Sequence, residues 1–147
     1  MRSLLFVLLI GSLLLAQTKK NSAEQVIRLQ GTPGSNQQWG SGWLNLNPPM
    51  NFHTGDKLRL SIGGARVKRV IVRLLGATEN AETSAGAIPE PKEVKQGVVE
   101  VVLTEDYPQI KQISVHGGTD LWNGAFNLGS DNGPATLNKV VLIRASH

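Results

Sequence analysis

Alternation of apolar and polar residues is the feature that most restricts how this chain can fold. From Lys57 to Ile62 every second residue is apolar, beginning with Leu58. Residues that alternate in this way lie on opposite faces of a β-strand. Apolar residues at the spacing of a helix are not sustained anywhere after residue 20. The chain is therefore predicted to be all-β, with half-buried antiparallel strands.

Turn-forming residues separate the strand segments. Gly, Pro and Asn lie between them, and Gly63-Gly64 predicts a hairpin between the third and fourth segments. Gly76 to Pro91 is predicted to be a long exposed loop. About eight short strands favour one antiparallel β-sandwich domain over residues 25 to 147. The predicted strands are Val26 to Gln30, Trp43 to Asn47, Lys57 to Ile62, Val67 to Leu75, Gly97 to Thr104, Ile110 to His116, Ala135 to Arg144 and a short one at Ala125 to Leu128.

The first residues are typical of a secretory signal peptide. Met1-Arg2-Ser3 is followed by an apolar run that ends at Leu15. The run is shorter than the roughly 20 residues that cross a bilayer, and it matches the apolar region of a signal peptide. We therefore predict a signal peptide at 1–16, a flexible segment at 17–24, and a secreted or periplasmic protein with no membrane span after cleavage. A buried N-terminal helix is the alternative.

Charge and cysteine content exclude two classes of small protein. Removal of the signal peptide takes away one base, Arg2, and no acid, so the formal charge falls by one from +4. Basic and acidic residues are interspersed, as at Lys92-Glu93, and are not clustered with aromatic residues as in a nucleic-acid-binding protein. The sequence has no cysteine, so no disulfide framework can replace a hydrophobic core.

Two tryptophans lie in a segment rich in Gly, Asn and Gln, at Trp39 and Trp43. If Leu44 faces the core, alternation places Trp43 and Asn45 on the opposite face. An aromatic ring beside amide side chains is what sugar recognition requires, because the ring packs on C–H groups while amides bond hydroxyls. The alternative is that the rings cap the core at one end of the sandwich.

A second polar cluster follows His116 and extends to Pro134, with several glycines that form turns. One interpretation is a binding rim in which Trp122 stacks on a ligand while Asp120, Asn123 and Asn127 form hydrogen bonds. The alternative is turn chemistry, in which Asp and Asn side chains bond to their own backbone.

Polar side chains on several predicted strands would share one solvated sheet face if those strands are neighbours. Arg and amide groups in a row suit a hydroxyl-rich or anionic glycan. A charged outer face is also the ordinary way in which a protein stays soluble, and this alternative stays open. The residues concerned are Arg59, Arg69, Arg73, Gln112, Ser114 and His116.

Signals for catalysis and for metal binding are weak. Ser114 and His116 share a strand face but lack a nucleophile motif such as G-x-S-x-G, and His116 with Asp120 is an equally loose pair. The histidines at 53, 116 and 147 lack the spacing of metal ligands. We therefore predict no catalytic residues, no metal site and no cofactor, although a structural calcium ion held by loop carbonyls stays open.

The order of several strand segments resembles the galactose-binding-like jelly rolls, which include carbohydrate-binding modules. The resemblance covers roughly residues 55 to 145 and implies a jelly roll that binds sugar on a concave sheet face or in end loops. The segments that carry it are Gly55 to Ser61, Arg69 to Leu74, Gly97 to Thr104, Phe126 to Gly129 and Ala135 to Ile143.

Together these features favour an exported, non-catalytic binding module for a carbohydrate or polysaccharide, or another envelope polymer. The alternatives are a protein-interaction or structural module that binds a protein partner in an envelope or secretion assembly, and a small hydrolase. The predicted ligand-binding residues are Trp43, Asn45, Arg73, Gln112, His116, Asp120, Trp122, Asn123 and Asn127.

Overall fold

The computed structural model describes residues 25–76, 90–118 and 128–146. Within these ranges the protein is all-β and contains no helix, as predicted. The predicted signal peptide, the 17–24 segment, all but the ends of the predicted 76–91 loop, and the predicted strand at 125–128 except Leu128 lie outside the described residues. The strands are β1 (Gln25–Arg28), β2 (Thr32–Asn36), β3 (Ser41–Phe52), β4 (Lys57–Gly63), β5 (Arg69–Gly76), β6 (Lys92–Glu93), β7 (Val98–Val102), β8 (Tyr107–His116) and β9 (Thr136–Arg144).

The strands form two antiparallel sheets that share one hydrophobic core. The four-stranded sheet has the order β1-β9-β4-β7, and the five-stranded sheet has the order β2-β3-β8-β5-β6. Leu58 and Leu60 from the first sheet belong to the same buried cluster as Val72 and Leu74 from the second. Because both sheets contribute their inner faces to this cluster, the architecture is that of a β-sandwich.

Burial follows the alternation that the sequence predicts. Leu58 and Leu60 of β4 are completely buried, whereas Arg59 between them is exposed. In β7, Val99 and Val101 are buried and Glu100 is exposed. The inner faces of these strands were therefore identified correctly from the period of two.

The predicted hairpin at Gly63-Gly64 is wrong. β4 pairs with β7 and β9 in the four-stranded sheet, whereas β5 pairs with β6 and β8 in the five-stranded sheet. The two glycines carry the chain from one sheet to the other. Gly64 has a φ of +132°, and an added Cβ there would overlap the carbonyl oxygen of Pro134, so the turn requires glycine even though it joins no hairpin.

β2 was not predicted. Its residues, Thr32 to Asn36, include Pro33 and Gly34 and show no apolar alternation. The strand is outermost in its sheet and pairs only with β3. Proline is tolerated in such a strand because one of its edges needs no ladder hydrogen bonds.

Asn132 ties three separate segments of the chain together. Its side chain is buried, and Oδ1 accepts hydrogen bonds from the backbone N–H groups of Lys68 and Arg69, each at 2.9 Å. Nδ2 donates to the carbonyl oxygen of Arg69 at 2.9 Å and to that of Gly117. One side chain thus holds the start of β5, the end of β8 and the segment before β9 in fixed positions.

Candidate functional site

Five of the nine predicted ligand-binding residues lie on the outer face of the five-stranded sheet. This face is built by three neighbouring strands, with β8 between β3 and β5. The alternation along each strand turns these side chains away from the core. We call this surface the polar face; it comprises Ser41, Trp43, Asn45, Gln112, Ser114, His116, Ile71, Arg73 and Leu75.

Strand register arranges the polar face in three rows. Trp43, Ser114 and Arg73 are paired across β3, β8 and β5 and form the middle row. Adjacent strands lie about 4.8 Å apart, so the Cα atoms of this row span about 10 Å. A row of Asn45, Gln112 and Leu75 lies on one side, and a row of Ser41, His116 and Ile71 lies on the other.

Trp43 lies outside the hydrophobic core. Its side chain is half-buried on the polar face, whereas Leu46 is buried in the core and Leu44 packs against it. The indole lies against Gly34 of β2, where an added Cβ would overlap the ring. Trp39, by contrast, is 50% exposed in the turn between β2 and β3. Glycine on the neighbouring strand thus gives the Trp43 ring room to lie along the sheet, a role that the sequence did not reveal.

Asn45 and Gln112 form an amide pair across β3 and β8. Gln112 Nε2 donates to Asn45 Oδ1 at 2.7 Å, and Asn45 is exposed. The Asn45 amide N–H groups and Gln112 Oε1 make no other hydrogen bond with the described residues. A donor and an acceptor therefore lie side by side at the surface, in the pattern that suits a pair of hydroxyl groups.

Burial controls the charge of the ionisable groups in the other rows. Desolvation lowers the pKa of Arg73 from its usual value. Desolvation, together with the positive charge of Arg73, lowers the pKa of His116 to about 4. His116 is therefore a neutral imidazole at pH 7.

Ser114 gives no support to the hydrolase interpretation. The residue is 3% exposed, and its Oγ forms no hydrogen bond with a described residue, including His116. A serine nucleophile needs a base within hydrogen-bond reach. The two residues share a face because they are two positions apart on β8, and no hydrogen bond joins the Ser114 hydroxyl to His116.

We expect His116 to make the protein less stable in mild acid. The unfolded chain takes up a proton near pH 6.5, whereas the folded chain does so only near pH 4. The contribution of this residue to the free energy of unfolding is therefore complete above pH 6.5 and is lost as the pH falls towards 4, by up to about 3 kcal/mol. Urea unfolding at pH 7 and at pH 4.5 measures the difference.

A His116→Gln variant should lose less stability than the wild type between these two pH values. His53→Gln is the matched control, because His53 is exposed in the turn before β4. Other titrating groups are common to all three proteins and cancel in the comparison. Equal pH dependence of the wild type and His116→Gln would contradict the assigned burial.

Two other arginines were expected on the same face. One lies on the other sheet, and the guanidinium of the second is hydrogen-bonded to the backbone. Arg59 projects from β4, on the other sheet, and its Nε lies 3.1 Å from Glu100. Arg69 begins β5, but its guanidinium donates to the carbonyl oxygen of Leu128 at 2.8 Å. The first placement was wrong because alternation gives the face of a strand but not the sheet to which the strand belongs.

The remaining predictions about the site are not tested by the described residues. Asp120, Trp122, Asn123 and Asn127 lie outside them, so the binding rim stays a prediction. No three His, Asp or Glu side chains converge on a metal position in ranges 25–76, 90–118 and 128–146. The same ranges contain no helix with the length and hydropathy to span a membrane. A calcium ion held by loop carbonyls stays an open alternative to the prediction of no cofactor.

Comparison with known proteins finds no family model, curated protein or solved structure that matches the chain. The resemblance to galactose-binding-like jelly rolls therefore stays a prediction.

Proposed function

We propose that the protein is an exported, non-catalytic binding module that recognises a carbohydrate or another envelope polymer through the polar face. One observation carries the proposal. Trp43, Asn45, Arg73, Gln112 and His116 come from three segments that are far apart in sequence, yet they occupy adjacent rows on three neighbouring strands. The sequence predicts all five as ligand-binding residues.

The side chains of the polar face provide the contacts that a sugar requires. A half-buried indole offers a surface for C–H groups, and the amide pair beside it offers a donor and an acceptor for hydroxyls. All of these side chains project from paired strands, so little conformational entropy is lost when a ligand binds.

We further propose that the sandwich is a jelly roll. The support is the way in which the strands interleave: β9 lies between β1 and β4 in one sheet, and β8 lies between β3 and β5 in the other. The chain also passes from one sheet to the other between β3 and β4, β4 and β5, β7 and β8, and β8 and β9. Two Greek keys folded into two sheets produce such an arrangement.

A protein-interaction module of an envelope or secretion assembly is the second candidate. Val26 is 65% exposed and Val102 is 58% exposed. They lie on β1 and β7, the outermost strands of the four-stranded sheet. An outermost strand can pair with a strand of a partner, and exposed valines would add apolar contact. Crosslinking in the native host would then recover one stoichiometric protein partner.

A glycan array probed with the purified mature protein tests the first candidate. We expect binding to a limited set of polysaccharides, and we expect Gln112→Ala to weaken it about fivefold, since one hydrogen bond contributes about 1 kcal/mol. Gln25→Ala is the matched control because Gln25 is an exposed amide on the other sheet. Absence of any glycan signal, or equal loss in both variants, would refute binding at the polar face.

A further inference from the structure

A cleft of about 180 Å³ opens between the two sheets, on the side where the chain passes from β1 to β2. Its inner wall is formed by Leu29 and Val140, both of which are buried. The backbone N–H of Leu29 donates to the carbonyl oxygen of Val140 at 3.0 Å, which fixes this wall. The cleft is separate from the polar face, whose rows run across the outside of β3, β8 and β5.

Two basic side chains at the cleft, Arg28 and Lys139, differ from the other bases on their sheet. Both are exposed, and neither forms an ion pair with any residue in the described ranges. Lys57 and Arg59, by contrast, lie 3.3 Å and 3.1 Å from Glu100. No Asp or Glu lines the cleft among the described residues. The cleft therefore carries an uncompensated positive charge that favours an anion.

Amide and apolar groups complete the lining. Gln30, which is exposed, and Asn138 also line the cleft. The Asn138 amide accepts a hydrogen bond from Thr136 Oγ1 at 3.1 Å and lies beside Gly63 of β4, so Gln30 supplies the side-chain amide for a ligand. Pro33 and Leu44 line the cleft from the five-stranded sheet with apolar surface.

We infer that this cleft binds one carboxylate-bearing sugar unit, such as a uronic acid. Arg28 and Lys139 match the carboxylate, the Gln30 amide matches a ring hydroxyl, and Pro33 with Leu44 matches the C–H face of the ring. The cleft has a volume of about 180 Å³, which limits the ligand to a single small unit. The inference rests on the proposed function for its ligand class, and it adds an acidic subsite at a separate surface.

Titration of the mature protein with sodium glucuronate, followed by amide NMR spectra, tests the inference. We expect saturable shifts in the amide signals of Gln30, Gly31 and Lys139. Arg28→Gln and Lys139→Gln should each weaken binding at least fivefold, whereas Lys111→Gln, an exposed lysine on β8, should leave it unchanged. Gln30→Trp should block the cleft without a change in the core, because Gln30 is exposed.

Two further probes separate the parts of the inference. Equal binding of methyl glucoside, which is neutral, would overturn the role of the charge. Equal binding of acetate would overturn the role of the sugar ring, and absence of shifts at the cleft would overturn the site itself. Shifts at Gln30, Gly31 and Lys139 report on the cleft, whereas shifts at Asn45 and Gln112 report on the polar face, so failure of the polar face and failure of the cleft give different results.

Discussion

Replacement of Asn132 with alanine is expected to lower the free energy of unfolding by about 3 kcal/mol. The substitution removes four hydrogen bonds to the backbone of Lys68, Arg69 and Gly117. Asn132 is 3% exposed, so water cannot readily replace the lost partners. Urea unfolding followed by circular dichroism measures the change in midpoint, with the slope compared to that of the wild type.

Asn132→Asp tests the same network without a change in volume. A carboxylate can still accept from Lys68 and Arg69, but it cannot donate to the carbonyl oxygens of Arg69 and Gly117. We expect destabilisation of about 2 kcal/mol or more at pH 7. Asn138→Ala is the matched control, since Asn138 is exposed and bonds only to Thr136 among the described residues. A change within about 0.5 kcal/mol of that control would contradict the bridging role.

Local patterns were sufficient to identify most strands and their inner faces. β4 needed only the alternation of Leu58 with Arg59, because a strand with one buried face has a period of two whatever its partners are. β7 was found in the same way. A turn after β4 was also predicted, and the structure has one from Gly64 to Val67. These features depend only on residues that are neighbours in the sequence.

Pairing between strands could not be obtained in this way. The prediction of a hairpin at Gly63-Gly64 was wrong because turn residues do not indicate which sheet the next strand joins. β2 was missed because Pro33 and Gly34 interrupt the alternation. The strand forms by pairing with β3, which its own sequence does not indicate. Ile71 is completely buried although it lies on the polar face, outside the core cluster. Each of these outcomes depends on contacts between distant parts of the chain.

The candidate site also combines strand faces that the sequence predicts with strand pairing that it does not. Alternation places Trp43 with Asn45 on β3, and Gln112 with His116 on β8, from the sequence alone. That β3 and β8 are neighbours, with β5 beyond them, emerged only from the register. Arg59 was assigned to this face by the same logic and proved to lie on the other sheet. The sequence therefore predicts the outward side chains of β3 and β8, and long-range pairing of the strands brings these side chains together on the polar face.

Trp43→Ala is expected to weaken glycan binding about thirtyfold, equivalent to about 2 kcal/mol. The indole is the only large aromatic side chain among the described residues of the polar face, and it occupies the middle row beside Ser114 and Arg73. Its loss removes the surface on which a sugar ring would pack, while the amide pair remains. Affinity is measured by titration with the best ligand from the array, and Trp43→Phe should retain part of it.

Trp39→Ala is the matched control for this experiment. Trp39 is 50% exposed in the turn between β2 and β3 and belongs to none of the three rows, so its removal should leave affinity within about twofold of the wild type. Ligand should change the tryptophan fluorescence of Trp39→Ala but not that of Trp43→Ala. Unfolding curves of both variants show whether a loss of affinity comes from the missing side-chain contact or from loss of the folded structure. Full affinity in a folded Trp43→Ala protein would exclude the polar face as the sugar site.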